Sequence, residues 1–160
     1  QFSVRHAGIS KARGTVAIVD GTIVIPEDLA GASVTATLDP ATIDTRDANR
    51  DGHLRSADFF DVEVHPRWTF TSTSVEVDGE ELLVHGDLTI RDATRPVTLR
   101  TEFNGAATDP FGYARIGFSA TTEISRKDFG LTWNAALETG GVLVGDKVTI
   151  TLEVEGVPAA

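Results

Sequence analysis

The sequence predicts an all-β fold of about eight antiparallel strands, closed as a barrel or stacked as a sandwich. Three observations carry this expectation. Apolar and polar residues alternate with a period of two along most of the chain, turn-forming pairs separate the alternating runs, and helical character is confined to one charged segment. A chain of 160 residues suits one hydrophobic core and would be stretched over two, so a single domain over residues 1–160 is expected.

The elements follow in order. Phe2, Val4 and His6 share one face of a strand-like opening run. Val16 and Ile18 alternate with Thr15, Ala17 and Val19, and Val34, Ala36 and Leu38 alternate with Ser33, Thr35, Thr37 and Asp39. The segment Arg46 to Phe60 is the helical one, with Asp51 and Arg55 spaced i,i+4 and Arg55 and Asp58 spaced i,i+3 for ion pairs. Leu82, Val84, Gly86, Leu88 and Ile90 share a face, as do Val97, Leu99, Thr101 and Phe103. The same holds for Ile116, Phe118, Ala120, Thr122 and Ile124, and for Val148, Ile150, Leu152 and Val154. One wet and one dry face per run is the signature of antiparallel strands. Turns are expected at Asp20-Gly21, Asp78-Gly79, Asn104-Gly105, Asp109-Pro110 with Gly112, and Gly140-Gly141, with a short helical turn around Ser125 to Gly130.

Inward positions carry several small or polar side chains: Ala36, Ser72, Ser74, Gly86, Ala120 and Thr122. Such residues leave volume that either a ligand or the large aromatics Trp68, Phe70 and Trp133 must fill. The sequence alone leaves these two possibilities level.

The formal net charge of -10 repels nucleic acid and anionic membrane surfaces, so neither is an expected partner. Absence of cysteine removes disulfides, thiolate catalysis and Cys-ligated metal. No apolar run approaches the ~20 residues of a membrane span. The chain holds no methionine and Gln1 leads straight into a strand, so an initiator, and with it a leader or anchor, is expected to have been removed or left out. A cytoplasmic and an extracytoplasmic location are both compatible with this composition.

The segment Thr45 to Asp61 supports two incompatible functions. Asp47, Asn49, Asp51, Gly52, Leu54 and Asp58 fall on the ligand, bend and apolar positions of a calcium loop. Against that stand a preceding strand where a helix belongs, cations at Arg50 and Arg55 inside the loop, and a short Asp58 where a bidentate Glu is usual. The other function is a charged helical cap, with Phe59-Phe60 plugging an apolar mouth. No histidine pair has metal-ligand spacing among His6, His53, His65 and His85. Gly117-Phe118-Ser119-Ala120 lies within a strand and makes a poor nucleophile elbow, and no phosphate loop is present. No catalytic residues, metal or cofactor are expected.

Several of these words together resemble the YceI-like family of lipocalin-like, polyisoprenoid-binding bacterial proteins. The resemblance rests on Phe2 to Ser10 followed by Arg13-Gly14, on Asp44-Thr45-Arg46, and on Arg50 to Asp61. It continues through Pro66, Phe70-Thr71-Ser72, Gly86 to Arg91, Thr94 to Val97, Phe118-Ser119-Ala120, Arg126 and Asp128-Phe129-Gly130. It implies an eight-stranded antiparallel lipocalin-like barrel with a short helical cap, opening in the family with a lead-in half-strand that this chain lacks. It further implies binding, transport or storage of an isoprenoid or other long-chain amphiphile, a link to stress response, and no catalysis; homodimers are compatible with it. The expected ligand-lining set is Val4, Val16, Ile18, Leu38, Phe59, Phe60, Trp68, Phe70, Phe103, Phe118, Phe129 and Trp133, with His6, Arg46, Asp47 and Arg50 near a polar head group. A calcium-binding β-protein and an enzyme acting on a lipid head group are the alternatives.

Overall fold

The computed structural model of the chain describes residues 1–6, 10–134 and 144–158, with the backbone alone for residues 5, 6 and 10. The expected turn at Gly140-Gly141 lies outside the described residues. Eight strands follow in order: β1 (Phe2–His6), β2 (Ser10–Val24), β3 (Ser33–Asp44), β4 (Trp68–Asp78), β5 (Glu81–Ile90), β6 (Ala93–Thr108), β7 (Ala114–Ser125) and β8 (Val144–Gly156). One helix, α1 (Ala48–Arg55), stands between β3 and β4, and 3-10 turns occur at Leu29–Gly31 and Arg126–Phe129. Each strand pairs antiparallel with the next and β8 returns to β1, so the sheet closes as a barrel. Closure removes the free sheet edges that would otherwise template aggregation.

The alternation read from sequence sets the faces. Phe2 and Val4 of β1 stand opposite Ile150 and Val148 of β8, and these in turn stand opposite Thr122 and Ile124 of β7. Two expected turns are bulges instead. Asp20-Gly21 lies within β2, where the register against β3 shifts between Ile18 and Asp20. Asn104-Gly105 lies within β6 at a register shift, with Gly105 at φ 127°, a conformation that favours glycine. A glycine inside an alternating run marks a bulge as readily as a turn, and bulges bend strands around a barrel. A third register shift, between Ser72 and Ser74, turns Ser74 outward beside His85, so Ser74 is not the inward residue expected.

Although Val75 and Val84 are buried farther along β4 and β5, most of the core lies at one end. Ile43, Phe59, Phe60, Trp68, Ile90, Ile124, Phe129 and Leu131 are all buried there, contributed by the ends of strands and by the connections that hold α1 and the Arg126–Phe129 turn. We call this the capped end. At the other end, formed by the β2–β3, β4–β5 and β6–β7 connections, Val24, Ile25, Val77, Phe111 and Tyr113 are exposed. This is the open end.

The ring is not laced evenly. β6 and β7 pair from Arg100↔Thr121 toward the open end, and no pairing continues between the first residues of β6 and the last of β7. A cleft of about 330 Å³ fills that seam, lined among others by Pro96, Val97, Ile124 and Phe129. Pro96 pairs with Asp87 of β5 alone, so on the β7 side no ladder bond is lost to the proline.

Candidate functional site

The barrel interior is the candidate site. Along β8, Val148, Ile150, Leu152 and Val154 are half-buried while Thr149, Thr151, Glu153 and Glu155 between them are exposed. In a lumen packed solid by its own side chains the inward row would be fully buried. Val4, Val16, Leu38, Leu82, Leu99 and Phe118, also inward, are likewise half-buried. Nearer the open end the inward Ile18 is 45% exposed and Phe103 54%. The interior is therefore an apolar recess open to solvent on one side and walled by the core on the other.

The aromatic residues divide between these two environments. Phe59, Phe60, Trp68, Phe70 and Phe129 are buried, and they pack the capped end. Phe60 meets Trp68 edge-on at 4.8 Å, and Phe59 lies 5.4 Å from the half-buried Trp133. Phe103 and Phe118 pair at 5.3 Å toward the open end. The expected lining set thus separates into a floor and a mouth. Gly86, taken from sequence as spare volume, is occupied space. A Cβ there would come within 2.5 Å of the Phe70 ring, so the glycine admits an aromatic that completes the floor. One polar atom of the floor is unsatisfied. The Trp68 indole N–H is buried and donates to no partner.

The charged segment over the floor is built from its own side chains. Asp47 caps α1 by accepting from the amides of Asn49 and Arg50, both at 3.1 Å. Asp51 is buried and accepts from the Thr45 amide at 2.9 Å and its hydroxyl at 2.5 Å. Arg50 donates to the Thr45 hydroxyl and carbonyl, each at 2.8 Å. Arg55 donates to the carbonyls of Ala41 at 3.0 Å and Ile43 at 3.2 Å. His53 pairs with Asp58 at 2.8 Å and stacks edge-on against Phe59 and Trp133. These contacts correct the expected Asp51–Arg55 and Arg55–Asp58 ion pairs: Asp51 anchors Thr45 and Arg55 ties the helix to β3. The carboxylates of Asp47, Asp51 and Asp58 engage three separate partners around a helix, where a calcium loop needs them converging on one point. Among the described residues no three carboxylates or histidines converge as a metal site.

Of the expected head-group contacts, Arg46 is exposed, with its backbone at φ 62°. Asp47 and Arg50 are committed to the cap. His6 belongs to β1, and its side chain lies outside the described residues. His85 faces outward and is held by Thr98 at 2.8 Å and Glu76 at 3.1 Å.

Two organising residues escaped the sequence reading. Thr45 joins Asp51 and Arg50 under α1, and an isolated threonine after a strand carries no signal of that. Arg126 is 3% exposed and donates to the carbonyls of Gly145, Leu131, Trp133 and Val144, fastening the Arg126–Phe129 turn to β8. Burial lowers its pKa, opposed by the nearby Asp146. Asp146 itself is held below the usual carboxylate range, chiefly by the Ser125 hydroxyl at 2.5 Å and then by the Lys127 amide and charge. Among the described residues no helix is long and apolar enough to cross a membrane.

Comparison with known proteins places this geometry in a family. The YceI-like domain matches residues 1–156. Protein YceI of Escherichia coli O157:H7 is 41% identical over 157 residues, covering 98% of this chain and 79% of that protein. Protein YceI of Salmonella arizonae is 40% identical over the same span. Among solved structures, the YceI protein of Campylobacter jejuni superposes with a TM-score of 0.76 at 29% identity, over 98% of this chain and 90% of that one. Burkholderia cenocepacia BcnA gives 0.80 at 21% identity, covering 97% and 94% of the two chains, a likeness of fold. A polyisoprenoid binding domain from Saccharophagus degradans, implicated in plant cell wall breakdown, gives 0.52 at 15%, with 98% of each chain covered. The chain belongs to the YceI-like family.

Proposed function

We propose that this protein binds a long apolar amphiphile of the polyisoprenoid type in its barrel lumen and carries or stores it, without catalysis. The observation that carries the proposal is the half-buried inward row of β8, Val148, Ile150, Leu152 and Val154, beside fully exposed outward neighbours. Apolar surface left open inside a barrel is unfavourable until something apolar covers it. Covering it contributes about 0.8 kcal/mol per buried CH2, so a tail of several isoprene units supplies most of the affinity. The neighbour described as a polyisoprenoid binding domain supports the same class of guest. Val4, Val16, Ile18, Leu38, Phe103 and Phe118 would line the tail, and Phe60, Trp68, Phe70 and Phe129 would floor it. The unpartnered Trp68 N–H is a ready donor for a polar oxygen of the guest.

Native mass spectrometry of protein purified gently from a bacterial host tests this. The expected result is an added mass of several hundred daltons that organic solvent extracts. Protein that leaves its host empty and binds neither a prenyl quinone nor a prenyl phosphate would falsify the proposal.

A further inference from the structure

The two ends of the barrel differ in charge as much as in packing. Apart from Arg100 and Arg115, every Lys and Arg of the described residues lies in the capped half. Neither of those two is free. Arg100 bonds Glu81 at 3.2 Å, and Arg115 bonds Asp109 at 3.1 Å. Around them the open half presents Glu27, Asp78, Glu80, Glu102 and Glu155, all exposed. In the capped half acidic and basic residues nearly balance, so most of the net charge lies on the open half.

The same mouth is apolar at its lip. Phe111 is 83% exposed and Tyr113 65%, both on the β6–β7 turn. That turn is braced: Asp109 accepts from the amides of Phe111 and Tyr113, each at 2.9 Å, while its own amide donates to the Tyr113 carbonyl at 2.8 Å. Two aromatic rings are thus held toward water on a stiff turn beside the entrance, with Val24 and Ile25 of the β2–β3 connection also exposed at this end. Rigid exposed aromatics at a rim of one charge sign are features of a docking surface.

We infer that the open end docks a protein partner whose surface combines basic residues with an apolar patch. Charge decides between the occupants. An anionic bilayer is repelled by the carboxylate ring, and a second copy presenting its own mouth meets like charge. A basic partner gains from both the field and the aromatics. The inference concerns the outside of the mouth and stands whatever the lumen holds.

The composition supplies the probes. Tyr113 is the one tyrosine, on the rim, and the two tryptophans, Trp68 and Trp133, belong to the capped end. The full chain is labelled with fluorotyrosine in one sample and fluorotryptophan in another and followed by 19F NMR. It is titrated with a Lys/Leu amphipathic peptide, with the same peptide carrying Gln for Lys, and with phosphatidylcholine vesicles with and without phosphatidylglycerol. The expected result is that the basic peptide shifts the Tyr113 resonance and leaves both tryptophans in place. Its affinity should fall by roughly tenfold when Lys becomes Gln, and by a similar factor between about 50 and 500 mM salt. Phe111→Ser should weaken the peptide with unchanged tryptophan resonances, which separates lost docking from lost folding. The inference is overturned if the tryptophan resonances respond as strongly as Tyr113. It also fails if the Gln peptide binds equally well, if either vesicle shifts Tyr113, or if Tyr113 shifts with protein concentration alone.

Discussion

The capped and open ends are made from the same strands and follow opposite rules. At the capped end, apolar side chains are covered, the buried guanidinium of Arg126 is met by four carbonyls, and the buried carboxylate of Asp51 is met by Thr45. At the open end, apolar side chains face water and the carboxylates go largely unneutralised by cations. The buried capped end thus carries most of the packing, while the open end leaves apolar surface bare. Binding surfaces cannot be packed as tightly as cores, because what covers them must come and go.

The sharpest way to break this comparison is to truncate one aromatic at each end. Phe129→Ala removes a ring that is 1% exposed and should cost roughly 3–5 kcal/mol in chemical denaturation, whereas Phe103→Ala at the mouth should cost less than about 1 kcal/mol. Equal losses would mean that the mouth is core. Next in size, Arg126→Met should cost roughly 2–3 kcal/mol by leaving buried carbonyls without donors, seen as a lower denaturation midpoint. A neutral outcome would show that water or shifted backbone replaces the guanidinium. Trp68→Phe is subtler. It should leave the stability of the empty protein within about 1 kcal/mol while weakening retention of a polar-headed prenyl lipid by up to roughly tenfold, measured as the rate of lipid loss. Unchanged retention would assign the indole N–H no part in binding.

Acid gives the smallest contrast, and its sign is fixed by the shifts. Asp146 at the capped end and Asp109 at the open end both have pKa values lowered from 3.8, Asp109 chiefly by the Tyr113 amide and also by Arg115. Each carboxylate therefore stabilises what it braces above about pH 4, Asp146 the packing of the Arg126–Phe129 turn on β8 and Asp109 only the β6–β7 turn. That contribution is lost as pH falls through the depressed value. Asp146→Asn should flatten the acid limb of global stability. Asp109→Asn should move only the Tyr113 resonance. If Asp109→Asn also lowers global stability, the β6–β7 turn is part of the core structure and the two ends are not independent.

Much of the fold was legible because a period of two reports which face is dry, and antiparallel neighbours in sequence are neighbours in space. Asp20-Gly21 and Asn104-Gly105 misled because a glycine bulge and a glycine turn look alike until the partner strand is known. Ser74 misled for a related reason, since one inserted residue reverses every face that follows. The cap was legible as helical over Arg46 to Phe60, but the helix covers only Ala48–Arg55, with a bend and turns through residues 56–60, and its wiring was not legible. Helical spacing puts Asp51 and Arg55 within reach, yet burial beneath β3 directs Asp51 to Thr45 and Arg55 to carbonyls. The aromatics were recognisable as a set, and only the closed ring shows which make floor and which make lip.

The incomplete lacing between β6 and β7 has a mechanical meaning. A fully hydrogen-bonded ring has a fixed girth, because widening it anywhere stretches a ladder. Here the strands part beyond Arg100↔Thr121, and a cleft lined by Val97, Ile124 and Phe129 stands in place of the ladder. Over that stretch the two neighbouring strands are not held to each other by backbone bonds. Widening the ring at this seam would break no ladder hydrogen bond between β6 and β7.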